Sequence, residues 1–150
     1  MRRALATVTT HDMPTLRSFW EGRDIVLRHD LQLYPTPELE QVVLEARARD
    51  RAALLAALNE QGLAPASPAT PDQPFSAELA RAIHVYLART SSILAAVQIE
   101  DLIGMEDPVN VPGTDREHPN WQRKLTFDVE DLETRADLDS LFADLSRARA

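Results

Sequence analysis

The sequence predicts an α/β protein, mostly helical, in which two parallel strands are joined by a long helical crossover. A short β-prone run, Ala4 to Thr9, opens the chain. Helical periodicity then dominates from Pro14 to Gln61 and from Ser76 to Arg89. Ser92 to Ile99 is apolar almost without alternation, the pattern of a strand buried on both faces, as parallel strands are.

Each element has local support. Val8 and the threonines at 7, 9 and 10 close the first strand, and Pro14 suits the first turn of a helix. Helical patterns run from Pro14 to about Trp20 and from about Arg23 to Leu31. Pro35 and Pro37 punctuate, with Thr36 fitting an N-cap and Pro37 the first helical position, and Leu39, Val42, Val43 and Ala46 recur at helical spacing. A second pattern, Asp50 to Gln61, carries Leu54, Leu55 and Leu58 on one side and stops at Gly62, a suitable left-handed terminator. These two read as a helical hairpin. Residues 63–75 hold Pro65, Pro68, Pro71 and Pro74, which read as an extended surface loop.

Ser76 caps a helix whose Leu79, Ile83, Tyr86 and Leu87 share a face, ending near Arg89. Asp101 and Gly104 mark the end of the second strand. The stretch 105–120, rich in Pro, Gly, Asp and Asn, reads as a long irregular loop. Thr134 opens a last helix with Leu138, Leu141, Phe142 and Leu145 on one face. No internal repeat is visible.

Composition narrows the function class. With 150 residues and 44% hydrophobic content the chain can fill one ordinary domain. Sixteen basic against 24 acidic residues, a net charge of −8, argue against nucleic acid as the main partner, and Arg2-Arg3 is too short a basic patch to reverse that. No run approaches the ~20 apolar residues needed to cross a bilayer, and no apolar signal core follows Arg2-Arg3, so a cytoplasmic protein with no membrane partner is expected. The absence of cysteine excludes disulfides, thiolate zinc sites and cysteine nucleophiles. The histidines at 11, 29, 84 and 118 show no metal-ligand spacing, so neither a metal nor another cofactor is expected.

The run Thr9-Thr10-His11-Asp12-Met13-Pro14-Thr15-Leu16-Arg17 concentrates the chemistry. An acid placed where a strand hands over to a helix is where α/β barrels keep their catalytic groups. The local sequence also allows a plainer role, in which Asp12 caps the following helix and His11 is a satisfied buried imidazole. Taken alone, the local sequence favours the cap.

A wider pattern shifts that balance. His11-Asp12-Met13-Pro14-Thr15-Leu16-Arg17, followed by Phe19-Trp20-Glu21-Gly22 and Asp24, resembles the 4-α-glucanotransferases, also called amylomaltases or disproportionating enzymes. A second block, Val97-Gln98-Ile99-Glu100-Asp101-Leu102-Ile103-Gly104, then Asn110-Val111-Pro112-Gly113-Thr114 and His118-Pro119-Asn120-Trp121, is similar to the closing segment of the same family in the same order. The resemblance runs from about Ala4 to about Leu132, yet the family enzyme is several times longer. It therefore implies that residues 1–150 are the C-terminal part of a glucanotransferase catalytic barrel, a fragment of a (β/α)8 TIM barrel containing its last two parallel strands and surrounding helices.

The same resemblance implies retaining transglycosylation of α-1,4-glucans to glucose or maltooligosaccharide acceptors, through a covalent glycosyl-enzyme, work that takes two carboxyl groups. By resemblance the nucleophilic Asp lies in an Arg-x-Asp motif and the acid/base Glu in a Glu-Asp-Leu-Gly motif, both upstream of Met1. Glu100-Asp101-Leu102-Ile103-Gly104 carries one residue more than that acid/base motif and is assigned to the last strand. Asp12 matches the family's transition-state-stabilising aspartate and His11 the neighbouring sugar-binding histidine. Asn110 falls on the loop that reaches the donor site, although an Asn before Val-Pro-Gly also reads as a turn residue. The partners implied are α-1,4-glucans, maltooligosaccharides and the missing N-terminal part of the same enzyme.

Other residues take plainer readings. Trp20 and Trp121 are assigned to the core. Arg17 can hold Asp12 or another acid, or be solvated. Asp101 can orient a neighbouring loop through backbone N–H groups. Asp128, Glu130, Asp131 and Glu133 read as a solvated face. The competing reading for the whole chain is a non-catalytic, stand-alone helical interaction module derived from the same family, and intact His11-Asp12 favours the enzyme.

Overall fold

Strands β1 (Arg2–Thr7) and β2 (Ser92–Ala96) lie side by side in parallel, with Leu5 opposite Leu94, Ala6 opposite Ala95 and Thr7 opposite Ala96. The structure is a computed structural model that describes residues 2–65 and 70–150. Pro68, assigned to the surface loop, lies outside the described residues. Because the strands are parallel, their C-terminal ends point the same way, and the loops after Thr7 and after Ala96 emerge together.

Among the described residues, four helices run between the strands: α1 (Leu16–Glu21), α2 (Arg23–Asp30), α3 (Pro37–Glu60) and α4 (Ala77–Ala88). After β2 come the single turn α5 (Ile99–Leu102), a 3-10 turn at Val129–Thr134 and the final helix α6 (Ala136–Arg149). Leu16 and Trp20 of α1, Leu55 and Leu58 of α3, and Leu79, Ala82 and Ile83 of α4 form one buried cluster. Leu58 and Leu79 are fully enclosed, and burial of such a side chain stabilises by about 1.5–3 kcal/mol. Trp20 is in the core as expected, its indole N–H donating to the Gln73 carbonyl at 2.8 Å, which ties the Pro-rich stretch to the cluster.

Several sequence expectations are corrected. The helical hairpin is instead one 24-residue helix, α3. Nothing between Glu45 and Arg51 breaks it, since Ala46-Arg47-Ala48-Arg49 are strong helix formers, and the Arg47 guanidinium anchors the middle of the helix to Asp24 and the Phe19 carbonyl. Its start was legible: Thr36 accepts from the Leu39 N–H at 3.3 Å with Pro37 at the first position, and Gly62 follows the end at φ 64°.

The first helix begins at Leu16 rather than Pro14, and the last at Ala136, two residues past Thr134. Thr134 turns its hydroxyl to the Asp131 carbonyl instead. Strand β2 ends at Ala96 and is not buried: Ile93 and Leu94 are largely solvent-facing, as is Leu5 on β1. Only two strands are present among the described residues, so no third or fourth strand covers these faces. The residues Glu100-Asp101-Leu102, assigned to this strand, lie in α5 just beyond it.

Candidate active site

Residues 8–15 leave β1 and cross the C-terminal end of the sheet before α1 begins. A turn closes on itself where the Met13 N–H donates to the Thr10 carbonyl at 3.0 Å, leaving His11 and Asp12 at its exposed tip. The N-cap of α1 is Thr15, whose hydroxyl accepts from the Ser18 N–H at 3.1 Å. Asp12 is therefore not the cap that the local sequence allowed, and its carboxylate is free for another role. His11 likewise is exposed rather than a buried imidazole.

The loop following α5 reaches the same place from the other strand. Asn110 donates its side-chain amide to Asp12, Nδ2 to Oδ1 at 2.7 Å, and His11 Nε2 stands 3.3 Å from the other oxygen, Oδ2. Asn110 is held by the fold of its own loop. The Trp121 N–H donates to the Val109 carbonyl at 3.0 Å, and Asn120 accepts from the Val111 N–H at 2.9 Å while donating to the Thr114 hydroxyl at 2.8 Å. All three residues singled out from sequence, His11, Asp12 and Asn110, thus come together at one end of the sheet.

Trp121, assigned to the core, is a correction: it is 63% exposed, in a left-handed backbone conformation at φ 62°. Its ring lies 5.1 Å from that of His11, tilted by 47°. An indole face beside an imidazole, an amide and a carboxylate combines an apolar plate with donors and acceptors, the combination that suits a sugar ring. The Pro-rich, aperiodic surroundings of Trp121 were the signal against a core position.

Arg17 does not reach Asp12. It pairs with Glu21 at 3.1 Å and Glu106 at 2.9 Å, and Arg23 bridges the same two acids at 2.8 and 2.6 Å. Desolvation opposes ionisation of Glu21, but the hydrogen bonds from Arg23 and Arg17 outweigh it and hold the carboxyl below the ordinary range. This network, with the Arg17 guanidinium also donating to the Gly104 carbonyl at 3.4 Å, fastens α1 to the chain that follows α5.

Deeper in, Asp101 is 1% exposed. Burial pushes its pKa up, partly offset by the Leu16 N–H and the Thr9 hydroxyl, which both donate to it, and by neighbouring His84. Asp101 accepts from a backbone N–H, that of Leu16, as the sequence reading allowed, and the Thr9 hydroxyl is an additional partner. Among the described residues no group of His, Asp or Glu is arranged to hold a metal ion, and no helix is long and apolar enough to cross a membrane.

The molecule is thus a helix-rich α/β protein with a polar cluster at the C-terminal end of parallel strands. The sequence model described as 4-alpha-glucanotransferase matches residues 1–130, and the chain belongs to that family. It is 35% identical over 152 residues to the 4-alpha-glucanotransferase of Haemophilus influenzae, a match covering 99% of this chain and 21% of that protein. It is 41% identical over 122 residues to the 4-alpha-glucanotransferase of Mycobacterium tuberculosis, covering 81% of this chain and 16% of the relative. The crystal structure of amylomaltase from Corynebacterium glutamicum superimposes with a TM-score of 0.77 at 30% identity, over 97% of this chain and 21% of that one. The family resemblance drawn from the two motif blocks is borne out. The chain spans only 16–21% of the length of these relatives.

Proposed function

We propose that this chain is the C-terminal part of a 4-α-glucanotransferase and supplies the last two parallel strands of its (β/α)8 barrel together with part of the glucan site. The open, apolar faces of β1 and β2 support the barrel reading, since parallel strands are ordinarily covered on both sides and flanked by further strands. The substrates are α-1,4-glucans and maltooligosaccharides, and the remaining partner is the upstream portion of the same enzyme.

The observation that carries the functional reading is the Asn110–Asp12 hydrogen bond with His11 alongside. In a retaining transfer, a carboxylate forms a glycosyl-enzyme through an oxocarbenium-like transition state, and an acceptor hydroxyl then takes the glycosyl group. Nucleophile and acid/base belong to the upstream portion. Asp12 accepts hydrogen bonds from hydroxyls of the glucosyl unit being transferred, bonds that strengthen as the ring flattens and gains positive charge. Asn110 fixes one oxygen of Asp12, and its remaining amide capacity, with the His11 ring, serves neighbouring hydroxyls. The chemistry needs no metal or organic cofactor.

The test pairs two measurements. Incubated with maltotriose, the 150-residue chain alone should release no glucose and build no longer oligosaccharides. In the complete enzyme Asp12→Asn should lower kcat by about 100-fold while leaving the melting temperature nearly unchanged, the scale on which a preorganised electrostatic partner acts. Disproportionation by the chain alone would refute the placement of the two other carboxyls upstream, and a fully active Asp12→Asn enzyme would refute the role of Asp12.

A further inference from the structure

Asp101 sits where its two oxygens meet both ends of the segment that carries His11 and Asp12. Oδ1 accepts the Leu16 N–H at 2.6 Å, and Oδ2 accepts the Thr9 hydroxyl. Thr9 precedes the exposed turn and Leu16 follows it. We propose that Asp101 is a positioning residue for the transfer reaction, a buried clasp that closes the 9–16 segment at its base and so fixes where the Asp12 carboxylate stands. The proposal rests on the reading of Asp12 given above.

Three observations support a clasp rather than a simple helix cap. Helix α1 already has its cap in Thr15, so Asp101 is not needed for that purpose. A carboxylate at 1% exposure is expensive to desolvate, and a surface loop with no positional demand gives no reason to retain one. The same segment grips the turn a second time, because the Thr15 hydroxyl also donates to the Met105 carbonyl at 2.7 Å. The turn bearing His11 and Asp12 is therefore located by the chain that follows β2, the same chain that delivers Asn110. Both sides of the site share one support.

Misplacing a reacting group by about 1 Å can cost on the order of 100-fold in rate. In the complete enzyme, Asp101→Ala removes both bonds, whereas Asp101→Asn keeps the shape, accepting from Leu16 and offering its amide to the Thr9 oxygen. Thr9→Val removes one arm without leaving a void, and Thr9→Ser keeps the hydroxyl. On maltotriose, Asp101→Ala and Thr9→Val should lose about 10-fold or more in kcat, with KM changed by less than about 2-fold, and Asp101→Asn and Thr9→Ser should recover most of the loss.

Should Asp101→Ala fail to fold, the Thr9 pair decides. Wild-type kcat in folded Thr9→Val, beside an Asp12→Asn enzyme that is impaired, would overturn the clasp and leave the reading of Asp12 intact. Wild-type kcat in Asp12→Asn would overturn the reading of the site and the clasp with it.

Discussion

Asn110 and Asp12 are 98 positions apart in sequence and joined by a 2.7 Å hydrogen bond from amide to carboxylate. The bond couples the loop after β2 to the turn after β1, so the site is assembled from both ends of the crossover. A charged acceptor makes such a bond stronger than a neutral one, and its geometry holds Oδ1 while Oδ2 faces His11.

Removing the donor should therefore disturb the rate rather than the fold. Asn110→Ala in the complete enzyme is expected to lower kcat on maltotriose by about 10-fold, since a hydrogen bond to a charged group contributes about 1.5–3 kcal/mol. Asn110→Asp should be worse, because it sets a second carboxylate against Asp12. Equal rates for the wild-type and Asn110→Asp enzymes would assign Asn110 to a turn role only.

What the sequence made legible divides along physical lines. Caps and terminators depend on neighbouring residues, so Thr36, Ser76 and Gly62 were readable and stand where expected. The members of the candidate cluster, His11, Asp12 and Asn110, can be named from the sequence but their geometry cannot, because the Asn110–Asp12 contact depends on the parallel register of β1 and β2. Thr15 is not legible as the cap because Asp12 competes for the same role in sequence and only the turn at Thr10–Met13 settles the matter. Tertiary anchoring misled twice. Arg47 ties down a stretch of α3 that looked like a break between helices, and Trp121 stands outside the core because its loop closes on Val109.

Arg47 joins α3 to the α1–α2 corner and should be costly to lose. Its guanidinium forks onto Asp24, with both N···O distances 2.7 Å, donates to the Phe19 carbonyl at 2.6 Å and lies 4.0 Å over the Phe19 ring. Both charged side chains are nearly buried. Arg47→Ala strands Asp24 and is expected to reduce the protection of α1 and α2 amides in hydrogen exchange by about 3 kcal/mol. Arg47→Lys should recover only part, since an ammonium cannot make the forked pair. Full protection in Arg47→Ala would show the pair to be dispensable.

His29 gives the α2–α3 junction a pH dependence. Its side-chain hydrogen bond with Glu40, at 2.9 Å, together with the charge of that carboxylate, raises the imidazole pKa above its ordinary 6.5. Folding therefore favours the protonated ring. The stabilisation is fully present below pH 6.5 and is lost as pH rises through the higher folded value. Titration of the His29 ring protons by NMR should show a midpoint above 6.5 that falls back on Glu40→Gln. A midpoint unmoved by that substitution would remove Glu40 as the cause.

The exposed sheet discriminates between a part of a barrel and a self-sufficient helical module. Leu5, Ile93 and Leu94 face solvent on adjacent parallel strands, Leu94 being 60% exposed, while the helical cluster around Trp20 and Leu58 is closed. Leu5 and Leu94, opposite one another in register, share one face and Ile93 lies on the other, so apolar side chains stand open on both faces of the sheet and call for covering structure, and two strands alone are a marginal sheet. The isolated chain should bind a hydrophobic dye and melt over a broad range, with amides of β1 and β2 exchanging well before those of α4. Ile93→Thr with Leu94→Thr should reduce the dye signal without loss of helical circular dichroism. A single sharp transition, no dye binding and uniform protection of strands and helices would instead describe a unit complete in itself, and the enzyme reading would give way to the module.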